Sequence, residues 1–80
     1  MKRKEIENKY LDSSLLFADG FDEAIIGIAQ QFNTISVAYD KKQCITILMK
    51  DMNQLEATEY FEYNVVGAYV GENTPTFITI

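Results

Sequence analysis

The spacing of hydrophobic and polar residues changes once along the chain, at Asp40, and divides the 80 residues into a β-rich half and a helical half. Before that point, 24–30 (AIIGIAQ) is a run of β-favouring residues. The stretch 34–39 (TISVAY) alternates Ile35, Val37 and Tyr39 against Thr34, Ser36 and Ala38, the period of two that marks a half-buried strand. Together they predict a hairpin turning near Gln31-Phe32-Asn33, where asparagine tolerates left-handed backbone better than most residues. Beyond Asp40, Cys44, Ile45, Leu48, Met49 and Met52 recur at helical spacing, with Lys42, Gln43, Thr46 and Lys50 opposite, which predicts an amphipathic helix over 41–52. Asp40 with Gln43, and Asn53 with Glu56, are spaced as capping boxes, the first residue accepting from early backbone N–H groups while the second reaches back. A second helix over 54–67 therefore follows a very short connection. Its core stripe is Ala57, Phe61, Asn64, Val65 and Ala68, with Asn64 expected as a buried amide bonded to backbone near 67–71.

The flanks carry weaker signals. Residues 11–17 (LDSSLLF) suggest a short helix capped by Asp12 or Ser13 and closed at Ala18-Asp19-Gly20. After Gly67, 68–73 and the Thr74-Pro75 step read as an extended or turning connection, because the residue before proline is pushed out of helical space. Residues 77–80 (FITI) predict a last strand, paired most simply with the hairpin. The expected fold is α+β: a small three-stranded antiparallel sheet packed against two consecutive amphipathic helices, with a short helix preceding them.

Charge sharpens this picture. Four of the seven basic residues, Lys2, Arg3, Lys4 and Lys9, lie in the first ten positions, so residues 1–10 read as a basic, solvated tail and 11–80 as the single domain. Residues 11–80 hold ten carboxylates against Lys41, Lys42 and Lys50, a net charge of −7, and no basic residue follows Lys50. A body so acidic is poorly suited to displacing counterions from phosphate, which argues against direct nucleic-acid binding. Hydrophobic residues at 48% and charged residues at 24% place the chain among globular domains and exclude the signature of disorder. Cys44 is the sole cysteine, so no intrachain disulfide forms, which points to a reducing compartment and a cytoplasmic location. No apolar run approaches the roughly 18 residues that span a bilayer, so no membrane partner is expected. A domain this small gains from further burial, and a homodimer is expected, with the FITI strand as the candidate edge.

Candidate chemistry is sparse. The chain has no histidine, which removes the side chain that titrates nearest neutrality and the commonest metal ligand. Cys44 falls on an apolar helix face, Ser13, Ser14 and Ser36 lack a histidine to activate them, and the four glycines are too dispersed to cradle phosphate. No enzymatic activity and no cofactor is expected. Asp19, Asp22 and Glu23 cluster beside Gly20, but their spacing does not match a calcium loop, and they read as a solvated turn rather than a metal site. Glu56, Glu59 and Glu62, with Glu72 beyond, form an acidic arc that includes Tyr63 and Val66. Aromatics framed by charge have the composition of interface hot spots, so these six residues are the candidate partner-binding surface. The alternative is a small-ligand site of Tyr39, Lys41, Lys42, Asn64 and Tyr69 in an oligomer that sequesters a nucleotide-like signal; only three lysines in the body are available to meet phosphate.

The run FADGFDEAIIG, then YD followed by CITILMKDM, then EATEYFEYNVVGAYVGENTPTFI resembles a family of small proteins of bacteriophages and some large DNA viruses, over about 15–78. No activity, ligand or catalytic residue is established for that family, so the resemblance supplies no site residues. It implies a class of role: small, acidic, non-enzymatic viral proteins that bind and disable a host protein, including host immune components, in the cytoplasm of the infected cell.

Overall fold

The computed structural model describes residues 3–10, 14–68 and 73–80. Three strands, β1 (Ile25–Gln31), β2 (Thr34–Asp40) and β3 (Thr76–Ile78), make one sheet in the order β1-β2-β3. Helix α1 (Arg3–Lys9) precedes the sheet, and helices α2 (Lys41–Leu48) and α3 (Gln54–Tyr60) lie between β2 and β3. The fold is α+β with a mixed sheet.

β1 and β2 pair antiparallel through a two-residue loop, Phe32-Asn33. The left-handed residue of that loop is Phe32, at φ 55°, not the asparagine that composition favours. The pairing also contains a bulge: Ile25 faces Tyr39 and Gly27 faces Ala38, so Ile26 is the extra residue, and Gly27 sits at φ 152°. The bulge solves a parity problem. Ile25 and Ile28 are three apart and would point to opposite sides of a regular strand, yet both pack with the core; the inserted residue restores the shared face.

β3 runs parallel to β2, with Ala38 beside Thr76, Tyr39 beside Phe77 and Asp40 beside Ile78. This corrects the expected all-antiparallel sheet. The physical reason is the connection: α2 and α3 return the chain over the sheet, and a helical crossover of this length delivers the next strand in the direction of the last.

The crossover is shaped by its caps. The Asp40 carboxylate accepts from the backbone N–H of Lys42 (3.0 Å) and Gln43 (3.4 Å), so the aspartate half of the first expected capping box forms without the glutamine half. At Asn53 the box is complete: its side chain accepts from Glu56 N–H at 2.9 Å, and Asn53 N–H donates to Glu56 Oε1 at 3.3 Å. α2 stops at Leu48 instead of 52, because Met49, Lys50 and Asp51 tighten into three-residue turns bonded to Thr46, Ile47 and Leu48. α3 widens after Tyr60 into a π-helical turn, Phe61–Val65, followed by a 3-10 turn, Val66–Ala68. Ala57, Phe61 and Val65, four residues apart, share the buried face, while the wider turn rotates Asn64 away from it and leaves it exposed, correcting the expected buried amide.

The core lies between the helices and the Val37/Tyr39 side of the sheet. Phe61 is fully buried and meets Phe21 edge-on (centroids 6.3 Å apart) and Phe77 edge-on (5.0 Å), while Phe77 lies tilted on Tyr39 at 5.5 Å. The Tyr39 hydroxyl accepts from Ala18 N–H at 2.8 Å, which ties the segment before β1 to the sheet.

The amino terminus departs most from expectation. The residues marked by their charge as a solvated tail form α1, whose Ile6 is completely buried in the core. Arg3 holds the helix in place: its guanidinium lies 4.5 Å from the Phe17 ring centroid, and its Nη1 is 3.4 Å from Asp19 and 3.6 Å from Asp22. The helix expected over 11–17 lies partly outside the described residues, and its described part, 14–17, has no regular structure.

Two substitutions test this packing. Phe61→Ala should cost about 3–5 kcal/mol, enough to unfold a domain this small, and would be read as loss of the urea transition at 25 °C. Ile6→Ala should cost about 2–5 kcal/mol, whereas truncating a side chain in a solvated tail changes stability by no more than about 0.5 kcal/mol. An unchanged urea midpoint for Ile6→Ala would contradict the packing of α1.

Candidate functional site

The two residue sets predicted from sequence are distributed unevenly. Glu56, Glu59 and Tyr63 line one shallow depression together with Asp51, Met52, Tyr60 and Asn64. Tyr63 is 79% exposed and Tyr60 is also exposed, so two phenol rings stand beside three carboxylates, with no basic residue among the described lining. Glu62 does not join them. Its carboxylate meets Lys41 Nζ at 2.7 Å. Helix geometry explains the split, because residues three apart drift by roughly 60° around a helix and two such steps carry the third glutamate to another face. Residues 56, 60 and 63 stay together at steps of four and three, a stripe legible in the sequence that would have added Tyr60. Asp51 and Met52 could not be placed from the pattern, since they come from the tightened turn between the helices. Val66 is partly exposed but does not line the depression, and Glu72 lies outside the described residues.

Glu56 has a structural duty besides any surface role, since its side chain completes the Asn53 capping box. Glu59 and Tyr63 have no such commitment to the fold, and they are the residues at which binding and folding are separable.

The alternative ligand set is dispersed. Tyr39 is fully buried, with its hydroxyl bonded to Ala18 N–H and its ring against Phe77, so it is a core residue. Lys41 and Lys42 border a cleft of about 440 Å³ with Ile45, Met49, Thr58 and Ile80, but the Lys41 ammonium is already paired to Glu62. Asn64 lies in the acidic depression, and Tyr69 is outside the described residues.

Among the described residues no cluster of three His, Cys, Asp or Glu side chains is arranged to hold a metal ion. At Asp19 and Asp22, Arg3 supplies the positive charge. No helix of the described residues is long and apolar enough to cross a membrane. Comparison with family models, with curated proteins and with solved structures finds no match for the chain.

Cys44 is completely buried on α2. Burial, and after it the negative charge of Asp40, push its thiol up from 9.0 to about 12. Thiolate, the nucleophilic form, is therefore scarce at neutral pH. Because the folded thiol titrates above the unfolded one, the stability gained by keeping it protonated is whole below pH 9 and is lost as pH rises towards 12. Iodoacetamide at about pH 8 should leave the native protein unmodified and add one adduct only once urea unfolds it. Rapid alkylation of the native protein, followed by intact mass, would contradict this burial.

Proposed function

We propose that the protein is a non-enzymatic binding module that occupies a basic surface of a host protein through the acidic, aromatic depression on α3. The observation that carries this reading is the exposed pair Tyr60 and Tyr63 set among Asp51, Glu56 and Glu59. Exposed aromatic rings make a surface costly to leave in water and favourable to cover. Carboxylates around them steer lysine- and arginine-bearing partners and reject acidic ones. Arginine is the best match, since its guanidinium pairs with a carboxylate and stacks on a phenol ring at once. The resemblance to small viral proteins supplies the expectation that the partner belongs to a host cell, and a cytoplasmic location follows from that expectation. The absence of histidine and the buried Cys44 support a binding role over catalysis. Self-association is part of the same reading: β3 lies at the edge of the sheet order, and Ile78 and Ile80 beyond Phe77 are exposed.

The nucleotide-sequestering alternative has less to support it, because Lys41 is neutralised by Glu62 and Tyr39 is committed to the core.

The decisive variant is Glu59→Lys combined with Tyr63→Ala. Reversing Glu56 would also break a helix cap worth about 1 kcal/mol and confuse lost binding with lost folding. Tagged protein should capture a basic partner from bacterial lysate at about 0.05 M salt and release it at about 0.5 M, as screening of exposed charges requires. The double variant should keep its helical circular dichroism and capture nothing. Capture of the same protein by the double variant would sink the reading.

A further inference from the structure

The face of the sheet opposite Val37 and Tyr39 carries a second, chemically different cleft, and we propose that it binds an uncharged carbohydrate. The pairing register places Ala29 and Gln31 of β1, Thr34 and Ser36 of β2, and Thr76 of β3 on that face. All five line a cleft of about 640 Å³, together with Gln30 and Phe32 at the hairpin and Asn73 and Thr74 leading into β3. That volume lies within the ordinary range of small-ligand sites.

Charge decides the class of ligand. A quarter of the chain is charged, 24%, yet no charged side chain is among the described residues lining this cleft. A phosphate, carboxylate or ammonium group would find no counter-charge among these described residues, and its desolvation would go uncompensated by them. The ligand that fits is neutral.

Hydrogen-bonding capacity narrows it further. Ser36 Oγ and Thr76 Oγ1 are 2.6 Å apart across β2 and β3, and Ser36 is only 8% exposed. Two hydroxyls hold two protons, and their mutual bond uses one, so the pair keeps a donor as well as acceptor lone pairs. The Asn73 amide donates to Ile35 C=O at 2.6 Å, which fixes its plane and leaves its oxygen able to accept. Gln31, Thr34 and Thr74 add groups that both donate and accept. Sugar hydroxyls have the same double character, whereas an apolar ligand would leave the remaining donors and acceptors of these groups unpaired. A peptide strand also alternates donors and acceptors, but it pairs along a sheet edge, and this cleft lies over side chains on the sheet's face.

Left-handed backbone lies at the same place. Among the described residues only two that are not glycine have positive φ, Phe32 at 55° and Asn73 at 61°, and both line this cleft. The conformation is costly at Phe32, while asparagine adopts it more readily than most residues, and positions of this kind gather at functional sites. At Phe32 the strained backbone, fixed by Gln30 Nε2 donating to Phe32 C=O at 3.1 Å, holds an aromatic ring 88% exposed on the rim. An aromatic face beside neutral donors and acceptors suits a pyranose, whose C–H face stacks on the negative face of the ring while its hydroxyls turn to the amides.

The test is a titration of the ¹⁵N-labelled full chain, followed by amide shifts, with glucose, galactose, mannose, N-acetylglucosamine, maltose and N,N′-diacetylchitobiose. AMP serves as the charged comparator, and each compound is taken to about 50 mM. At least one sugar should produce saturable shifts confined to 29–36 and 73–76. Phe32→Gly, which also relieves the positive φ, and Thr34→Val, which removes one hydroxyl, should each weaken that sugar roughly fivefold or more while leaving the spectrum elsewhere unchanged. Failure of every sugar in the panel, AMP binding at this cleft as tightly as the best sugar, or unchanged affinity in both variants would each overturn the proposal.

Discussion

Phe61 is the side chain on which the architecture turns. It leaves the helical crossover at the start of the π turn, meets Phe21 from the segment before the sheet, and presses on Phe77 of β3, which in turn lies on Tyr39 of β2. One buried ring thus joins three stretches of chain that are distant in the sequence. Edge-to-face contacts of this kind add about 0.5–1.5 kcal/mol each beyond simple burial, a large share of the stability of an 80-residue domain. In the π turn that begins at Phe61, Val65 stays on the buried side with it, and the polar Asn64 is turned out to water.

Much of the fold was legible because periodicity reports burial. The alternation of Ile35, Val37 and Tyr39 and the caps at Asp40 and Asn53 have local causes, and the structure places β2, α2 and α3 at those residues. What the pattern could not carry is non-local. Strand direction depends on how the crossover returns, and nothing in FITI distinguishes a parallel from an antiparallel partner. Ile6 is a lone apolar residue among charges, a weak signal for a core position, and the contacts of Arg3 with Phe17, Asp19 and Asp22 that accompany its burial are non-local.

The surfaces were less legible than the core. The acidic arc was visible as composition, but its division came from helix geometry: Glu59 and Tyr63 stay with the depression, Glu56 serves the cap, and Glu62 neutralises Lys41. The polar cleft gave no signal at all in the sequence. Its lining residues come from three strands and two loops, and small hydroxyl and amide side chains in strands read as ordinary solvent-facing positions. Only the register and the two positive φ angles bring them into view. The two surfaces differ in kind, one acidic and set along a helix, the other lined among the described residues by uncharged side chains and floored by a sheet.

The parallel placement of β3 also orders events in time. The hairpin closes over two residues, but β3 reaches β2 only after the thirty-five residues between Asp40 and Thr76 have been brought round. On loop-closure entropy alone that is about four doublings of length, roughly 2–3 kcal/mol more than the hairpin pays. β1 and β2 can therefore pair early, while β2 waits with one edge unsatisfied until the helices have packed and Phe77 has found Phe61. Three residues of strand are too few to hold that edge by backbone bonding, so the aromatic contact acts as the latch that commits the chain to its native topology.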